Sequence, residues 1–221
     1  MVIPSWNFSL DTKFSCLKNS CSLSELDVEE RVQLSEPTSM FTYSYDALFS
    51  KADCDEIVRL SRTESQDSGG LVGGRQQGEI RRAKISWLDD EGTAGWVLER
   101  IIGAVARANR EAFDFDITEF REKLQVAVYD EREEGHYDWH SDIGEGPIAQ
   151  FRKATIVTQL SPTETYEGGA LEISLGHRVM TASREQGSAT LFASFMLHRV
   201  VPVTKGTRYS LTCWSHGPRF R

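Results

Sequence analysis

Three side chains in the second half of the sequence are of types that bind metal ions: His140 and Asp142, separated by one serine, and His198, 56 residues beyond the aspartate. His140-Ser141-Asp142 lies just past the aromatic-rich run His136-Tyr137-Asp138-Trp139. Alternation along a strand would send His140 and Asp142 to the same face. Two imidazoles and one carboxylate on one side of a metal leave its opposite positions open to exchangeable ligands. Arg208, ten residues after His198, supplies a fixed cation on the far side of the Thr204-Lys205-Gly206 turn. That spacing predicts neighbouring antiparallel strands for His198 and Arg208.

A His-x-Asp triplet is a weak signal alone, because such triplets arise by chance. Its weight comes from the company it keeps. Counted by twos, Arg208, Ser210, Thr212 and Trp214 face one way, and Tyr209, Leu211 and Cys213 the other. An arginine buried beside a hydroxyl needs an anion. A 2-oxo dicarboxylate would satisfy both halves of the pattern: its oxo-acid end chelates the metal and its distal carboxylate takes a bidentate pair from Arg208, helped by Ser210. Two-His, one-carboxylate centres are associated with non-haem Fe(II) oxygenases.

The elements that must position these residues are legible in outline. Ser50 followed by Asp53 is a capping-box-like start, and Cys54, Ile57, Val58 and Leu60 give one apolar face, which predicts a helix from about 51 to 62. Val97, Ile101, Val105, Ala108 and Ala112 predict a second helix between about 94 and 112. From Leu124 the period becomes two, with Leu124, Val126 and Val128 on one face and Gln125, Ala127 and Tyr129 on the other. Stretches 153–160, 170–175, 188–193, 198–203 and 207–214 are short, β-branched and punctuated by Gly or Pro. The expected class is mainly β with flanking helices, around a double-stranded β-helix or jelly-roll core.

The remainder of the chain narrows the function. At 221 residues it accommodates one substantial catalytic domain, expected over 41–221, with a Ser-rich, aperiodic N-terminal extension over 1–40. A net charge of -8 without a Lys/Arg stripe argues against nucleic acid as a partner. The N-terminus lacks a basic and apolar leader, and no run approaches the roughly 18 apolar residues of a membrane span, so a cytoplasmic protein with no membrane association is expected. Four cysteines without a CxxC pair indicate reduced thiols. The glycines of 68–75 suit either a lid or a mobile surface loop, and no Gly-Lys-Ser/Thr follows to make a phosphate loop.

The segment from Tyr129 to Trp214 resembles the catalytic core of the iron and 2-oxoglutarate-dependent dioxygenases, and within them the prolyl 4-hydroxylase-like branch that includes the PKHD-type hydroxylases. The motifs that carry the likeness are Gly135-His136-Tyr137-Asp138-Trp139-His140-Ser141-Asp142, Gln159-Leu160-Ser161, Tyr166-Glu167-Gly168-Gly169-Ala170-Leu171, Leu197-His198-Arg199-Val200 and Gly206-Thr207-Arg208-Tyr209-Ser210. The resemblance implies His140, Asp142 and His198 as ligands of Fe(II) and Arg208 as anchor of the 2-oxoglutarate tail, with Tyr129, Ser210 and Thr155 as further cosubstrate contacts. It also implies O2 as co-reactant, L-ascorbate as accessory reductant, and hydroxylation of an unactivated carbon with release of succinate and CO2. Several prolyl hydroxylases carry a lysine where this chain has Arg208, so the substrate stays open among a prolyl or other side chain in a peptide or protein, a free or carrier-bound amino acid and a small natural-product intermediate.

Rival readings are a halogenase or desaturase on the same scaffold and a non-catalytic, cupin-like metal-binding sensor. A halogenase needs a vacant place where Asp142 stands, and a sensor has no use for the full triad with Arg208. His136, His177 and His216 lie off the triad spacing and are expected at the surface or behind the ligands. Tyr137, Trp139 and Trp214 are expected to fill space, and Glu131–Glu134 to form a solvated loop.

Overall fold

A computed structural model describes residues 41–64, 67–68 and 80–221. The expected extension 1–40 and the glycines of the 68–75 segment lie outside the described residues, apart from Ser68.

Two antiparallel sheets face each other. The larger is ordered β1 (Thr42–Tyr45), β11 (Ala189–Ala193), β7 (Arg152–Gln159), β13 (Val203–His216), β5 (Gln125–Asp130), β4 (Lys84–Trp87) and β2 (Asp67–Ser68), with β8 (Tyr166–Gly168) paired to the start of β13. The smaller runs β10 (Val179–Thr181), β9 (Leu171–Ser174), β12 (His198–Val200), β6 (His136–His140) and β3 (Arg81–Arg82). This is the expected jelly-roll arrangement, with two helices packed outside the larger sheet.

Helix α1 spans Lys51–Thr63 and opens with a reciprocal cap: Asp53 N donates to Ser50 Oγ (3.2 Å) and Ser50 N to Asp53 Oδ2 (3.0 Å). Helix α2 is regular only over Gly95–Ala108 and continues as a widened turn, Asn109–Phe113, one residue past the range the apolar spacing predicted. Asn109 pins its exit, accepting from Phe115 N and donating to Phe115 O, both at 2.9 Å.

Strand alternation splits the core. Leu124, Val126, Ile156, Leu191, Leu211 and Cys213 pack under the helices, whereas Ala127, Tyr129, Val157, Phe192 and Val203 face the smaller sheet. Polar groups on that inner face are therefore sealed between the sheets, where an unpaired charge is costly.

One expectation is corrected. Thr204-Lys205-Gly206 is no turn between neighbouring strands, for it lies within the 14-residue β13. The chain leaves the smaller sheet at Val200, crosses through Val201 and Pro202, whose ring carries no N–H for a ladder, and enters the larger sheet at Val203. His198 and Arg208 consequently stand on opposing sheets and reach into the space between them from different sides.

Candidate metal centre

His140 ends β6 and His198 begins β12, and the two are direct partners across the ladder, their ring centroids 4.1 Å apart. Each ring is oriented from behind. Nδ1 of His140 lies 2.7 Å from the Asp138 carbonyl and Nδ1 of His198 lies 3.0 Å from that of Met196. A carbonyl only accepts, so both Nδ1 atoms carry the proton, which leaves Nε2 of each neutral imidazole as its ligand atom. Each Nε2 lies 3.6 Å from the Asp142 carboxylate, His140 toward Oδ1 and His198 toward Oδ2. One donor atom from each of the three residues falls within 4.8 Å of the others.

Asp142 is not part of β6. It lies two residues beyond the strand's last residue, and its N–H donates to Ser194 O (2.9 Å). Its side chain reaches across to the larger sheet, where Oδ2 accepts from Thr155 Oγ1 (2.7 Å) and from Trp214 Nε1 (3.0 Å). Thr155 Oγ1 also lies 3.0 Å from Ser194 Oγ. Both donors fall on one oxygen, which aims the carboxylate.

The electrostatics suit a cation. Burial, followed by the neighbouring His198, pushes the His140 imidazole down to about 4, so at neutral pH its Nε2 is available to a metal. Burial alone would raise the Asp142 carboxyl, but the two imidazoles, Arg152 and the Trp214 N–H outweigh it and hold the group below its ordinary value. Neutral nitrogens and a carboxylate are ligands suited to Fe(II), so the residues present fit the ion that the triad implies.

A second unsatisfied feature lies on the larger sheet. Arg208 is fully buried, and its Nε donates to Gln159 Oε1 at 3.1 Å. Both terminal guanidinium nitrogens are buried with no hydrogen-bond partner among the described residues. Burial lowers the Arg208 pKa, yet an arginine stays charged in proteins, so an anion would complete the site. Tyr129 stands directly across the ladder from Arg208, its ring 5.3 Å from the guanidinium carbon, and Ser210 is buried two residues further along β13.

The structure thus gathers His140, Asp142 and His198 into one cluster and places Arg208, Tyr129 and Ser210 on the facing sheet. Thr155, expected beside the cosubstrate, lies on the same sheet and donates its hydroxyl to Asp142 Oδ2. Trp214 does more than fill space, since its indole N–H holds the same carboxylate, and Tyr137 stacks on His140 with ring centroids 3.4 Å apart. His216 is buried, where it bonds Glu122 Oε2 at 3.0 Å. Sequence reasoning passed over Arg152 and Glu122, which stand behind Asp142. They belong to no motif, and only the contact between β7 and the 118–122 segment reveals them.

Residues 124–216 match the sequence model of the 2OG-Fe(II) oxygenase superfamily. Among curated proteins, a PKHD-type hydroxylase of Alteromonas mediterranea is 46% identical over 55 residues, 25% of this chain and 24% of that protein. One of Hyphomonas neptunium is 35% identical over 81 residues, 35% of this chain and 36% of its own. These stretches span about a quarter to a third of those relatives' length, while a PKHD-type hydroxylase of Pseudoalteromonas atlantica aligns over 69% of this chain and 70% of its own at 26% identity. Among solved structures, a Trichoplax adhaerens prolyl hydroxylase in complex with a hypoxia inducible factor peptide shares the fold, with TM-score 0.67, 20% identity and coverage of 80% of this chain and 84% of that one. A Pseudomonas putida prolyl-4-hydroxylase follows, with TM-score 0.64, 17% identity and coverage of 80% and 92%. Residues 124–216, which contain the His-Asp-His cluster, thus carry the sequence pattern of the 2OG-Fe(II) oxygenase superfamily, the aligned stretches are similar to PKHD-type hydroxylases, and the fold is that of the prolyl hydroxylases.

Proposed function

We propose that residues 41–221 form a dioxygenase domain that uses Fe(II), O2 and 2-oxoglutarate to hydroxylate an unactivated carbon of an amino-acid-like substrate, releasing succinate and CO2. The substrate class favoured is a prolyl or other side chain within a peptide or protein, supported by the prolyl hydroxylases that share the fold. L-Ascorbate is the accessory reductant in this reading.

The observation that carries it is the pairing of two incomplete sites in one inter-sheet space: three metal-binding side chains whose donor atoms converge, and a buried guanidinium with two nitrogens that have no hydrogen-bond partner among the described residues. A molecule with a chelating oxo-acid at one end and a carboxylate at the other completes both. Bound iron would supply the oxidising chemistry, and the chain's residues do the rest. His140, Asp142 and His198 hold the ion from one side. Thr155 and the Trp214 indole fix the Asp142 carboxylate, and the carbonyls of Asp138 and Met196 fix the imidazoles. Arg208 takes the distal carboxylate in a two-pronged pair, with Gln159 holding its Nε and the Tyr129 ring beside its face. Burial of His198 and Arg208 between the two sheets limits competition from bulk water. Asp142 occupies the place a halide would require, against a halogenase.

The test is anaerobic reconstitution with Fe(II), then exposure to air with 2-oxoglutarate, ascorbate and a panel of peptides and amino acids, reading succinate and a 16 Da gain. Substrate-stimulated succinate with that gain is the expected result. Succinate release that no substrate stimulates, with no mass gain on any, would contradict the hydroxylase reading.

A further inference from the structure

Asp142 is the ligand whose place needs explaining, because a strand ladder holds the two histidines while the aspartate stands past the end of β6. Arg152, the first residue of β7, touches it by two routes. Its Nη1 donates to the main-chain carbonyl of Asp142 at 3.0 Å, and its guanidinium carbon lies 4.1 Å over the ring of Trp214, the indole that donates to Asp142 Oδ2. The other edge of the guanidinium is occupied by Glu122, with Nε to Oε2 at 2.6 Å and Nη2 to Oε1 at 2.5 Å.

Glu122 is held in turn. His216, fully buried at the end of β13, has Nε2 3.0 Å from Glu122 Oε2, while its Nδ1 accepts from Arg121 N at 3.3 Å. An imidazole that accepts at Nδ1 donates from Nε2, so the neutral ring satisfies both partners. The main chain of His216 is tied to the same segment, its carbonyl accepting from Thr118 N (2.8 Å) and its N–H donating to Glu119 O (2.8 Å).

We propose that Arg152 is a positioning residue for the Asp142 carboxylate, and that Glu122 and His216 fix its guanidinium against that carboxylate's main chain and its indole donor. The inference rests on the metal-centre reading above. A half-exposed ion pair would carry little weight, but here the side chains of Arg152 and Glu122 are only 16% and 14% exposed and the pair is bidentate. Such a buried pair gives little net stability compared with apolar packing of the same shape, so geometry is what it contributes. Nδ1 carbonyls orient the two imidazoles, and Arg152 does the corresponding work for the carboxylate.

The experiment measures Mn(II) binding by electron paramagnetic resonance, together with the metal-free melting temperature, for the full chain and for Arg152→Gln, Glu122→Gln, His216→Gln and His216→Phe. Mn(II) is used because it takes the same O and N donors and is stable in air. Arg152→Gln and Glu122→Gln are expected to bind Mn(II) about 10- to 100-fold more weakly. His216→Gln, whose amide can still donate to Glu122, is expected to stay near the wild type, and His216→Phe to move with Glu122→Gln. A purely structural role would lower the metal-free melting temperature and leave the Mn(II) affinity of the folded variants unchanged, and that result would overturn the proposal. If Arg152→Gln does not fold, the contrast between His216→Gln and His216→Phe decides: equal affinity in both overturns it. Absence of Mn(II) binding by the wild-type chain would overturn the metal-centre reading and this inference with it, a failure recognisable before any variant is made.

Discussion

Thr155 and Trp214 stand directly opposite each other on β7 and β13, and both donate to the same oxygen of Asp142. Oδ2 therefore has two protein donors, and the opposed pair sets the carboxylate's tilt toward His140 and His198. Thr155→Val and Trp214→Phe keep shape while removing one donor each. Each is expected to weaken Mn(II) binding about tenfold. Because the two share one acceptor, the double variant should differ from the product of the singles. Isothermal titration of the four proteins checks this, and wild-type affinity in the double variant would contradict it.

His198→Ala removes one of three ligands and opens a gap beside Phe192, whose ring centroid lies 4.5 Å from that of the imidazole. The expected outcome is loss of most metal affinity and of turnover, with the fold retained by circular dichroism. Undiminished binding and turnover would mean that another side chain supplies the third ligand.

Gly169 has φ +61°, and a Cβ there would come within 2.9 Å of both Arg208 Cδ and Val203 Cγ2. Gly169→Ala should destabilise the fold by about 1–2 kcal/mol through its left-handed backbone and also displace Arg208. The expectation is weaker 2-oxoglutarate binding with unchanged Mn(II) affinity. Gly144→Ala, where a Cβ meets nothing within 4 Å, is the control. Equal 2-oxoglutarate affinity in both would show that the contact with Arg208 is slack.

Glu122 links stability to pH. Burial alone would raise its carboxyl, but hydrogen bonds from Arg152 and His216 outweigh that and hold it below its ordinary value. A carboxyl with a lower pKa folded than unfolded contributes stability that is complete above the unfolded value, about 4.3, and is lost as pH falls through the folded one. Urea unfolding of metal-free protein between pH 7 and pH 3 should lose stability more steeply in the wild type than in Glu122→Gln. Parallel acid limbs would contradict the assignment of that linkage to Glu122.

How much of this was legible in the sequence depends on whether a residue acts through its own strand or through a neighbour. Side-chain parity along β13 separated Arg208, Ser210 and Trp214 from Leu211 and Cys213, and the apolar faces of α1 and α2 were visible as helical periods. The capping residues Ser50 and Asp53 located the start of α1. Strand pairing was less accessible: β12 and β13 are consecutive, and a Gly after a Lys looked like a turn, yet Pro202 ends one ladder and β13 runs on through Gly206 in the other sheet. β1 and β4 were missed because four residues give too short a pattern. Thr155 was recognisable as a member of the site, but which partner its hydroxyl meets is decided by the path of the chain after His140, which no period encodes. Arg152, Glu122 and His216 come from three separate segments, and nothing in their spacing joins them.

The central claim is that Arg208 and the metal share one dicarboxylate. Charge-assisted hydrogen bonds contribute about 1.5–3 kcal/mol each, so losing a bidentate pair should weaken binding by roughly two to four orders of magnitude. Arg208→Lys keeps the charge, loses the fork and should fall between. The most direct measurement is anaerobic titration of 2-oxoglutarate into Fe(II)-loaded wild-type, Arg208→Ala and Arg208→Lys proteins, following the absorption of the metal chelate. The account predicts tight binding by the wild type, an intermediate affinity for Arg208→Lys and a loss of at least about a hundredfold for Arg208→Ala, with Fe(II) affinity unchanged in all three. Equal 2-oxoglutarate affinity in three folded proteins, or no chelate band in any of them, would contradict it.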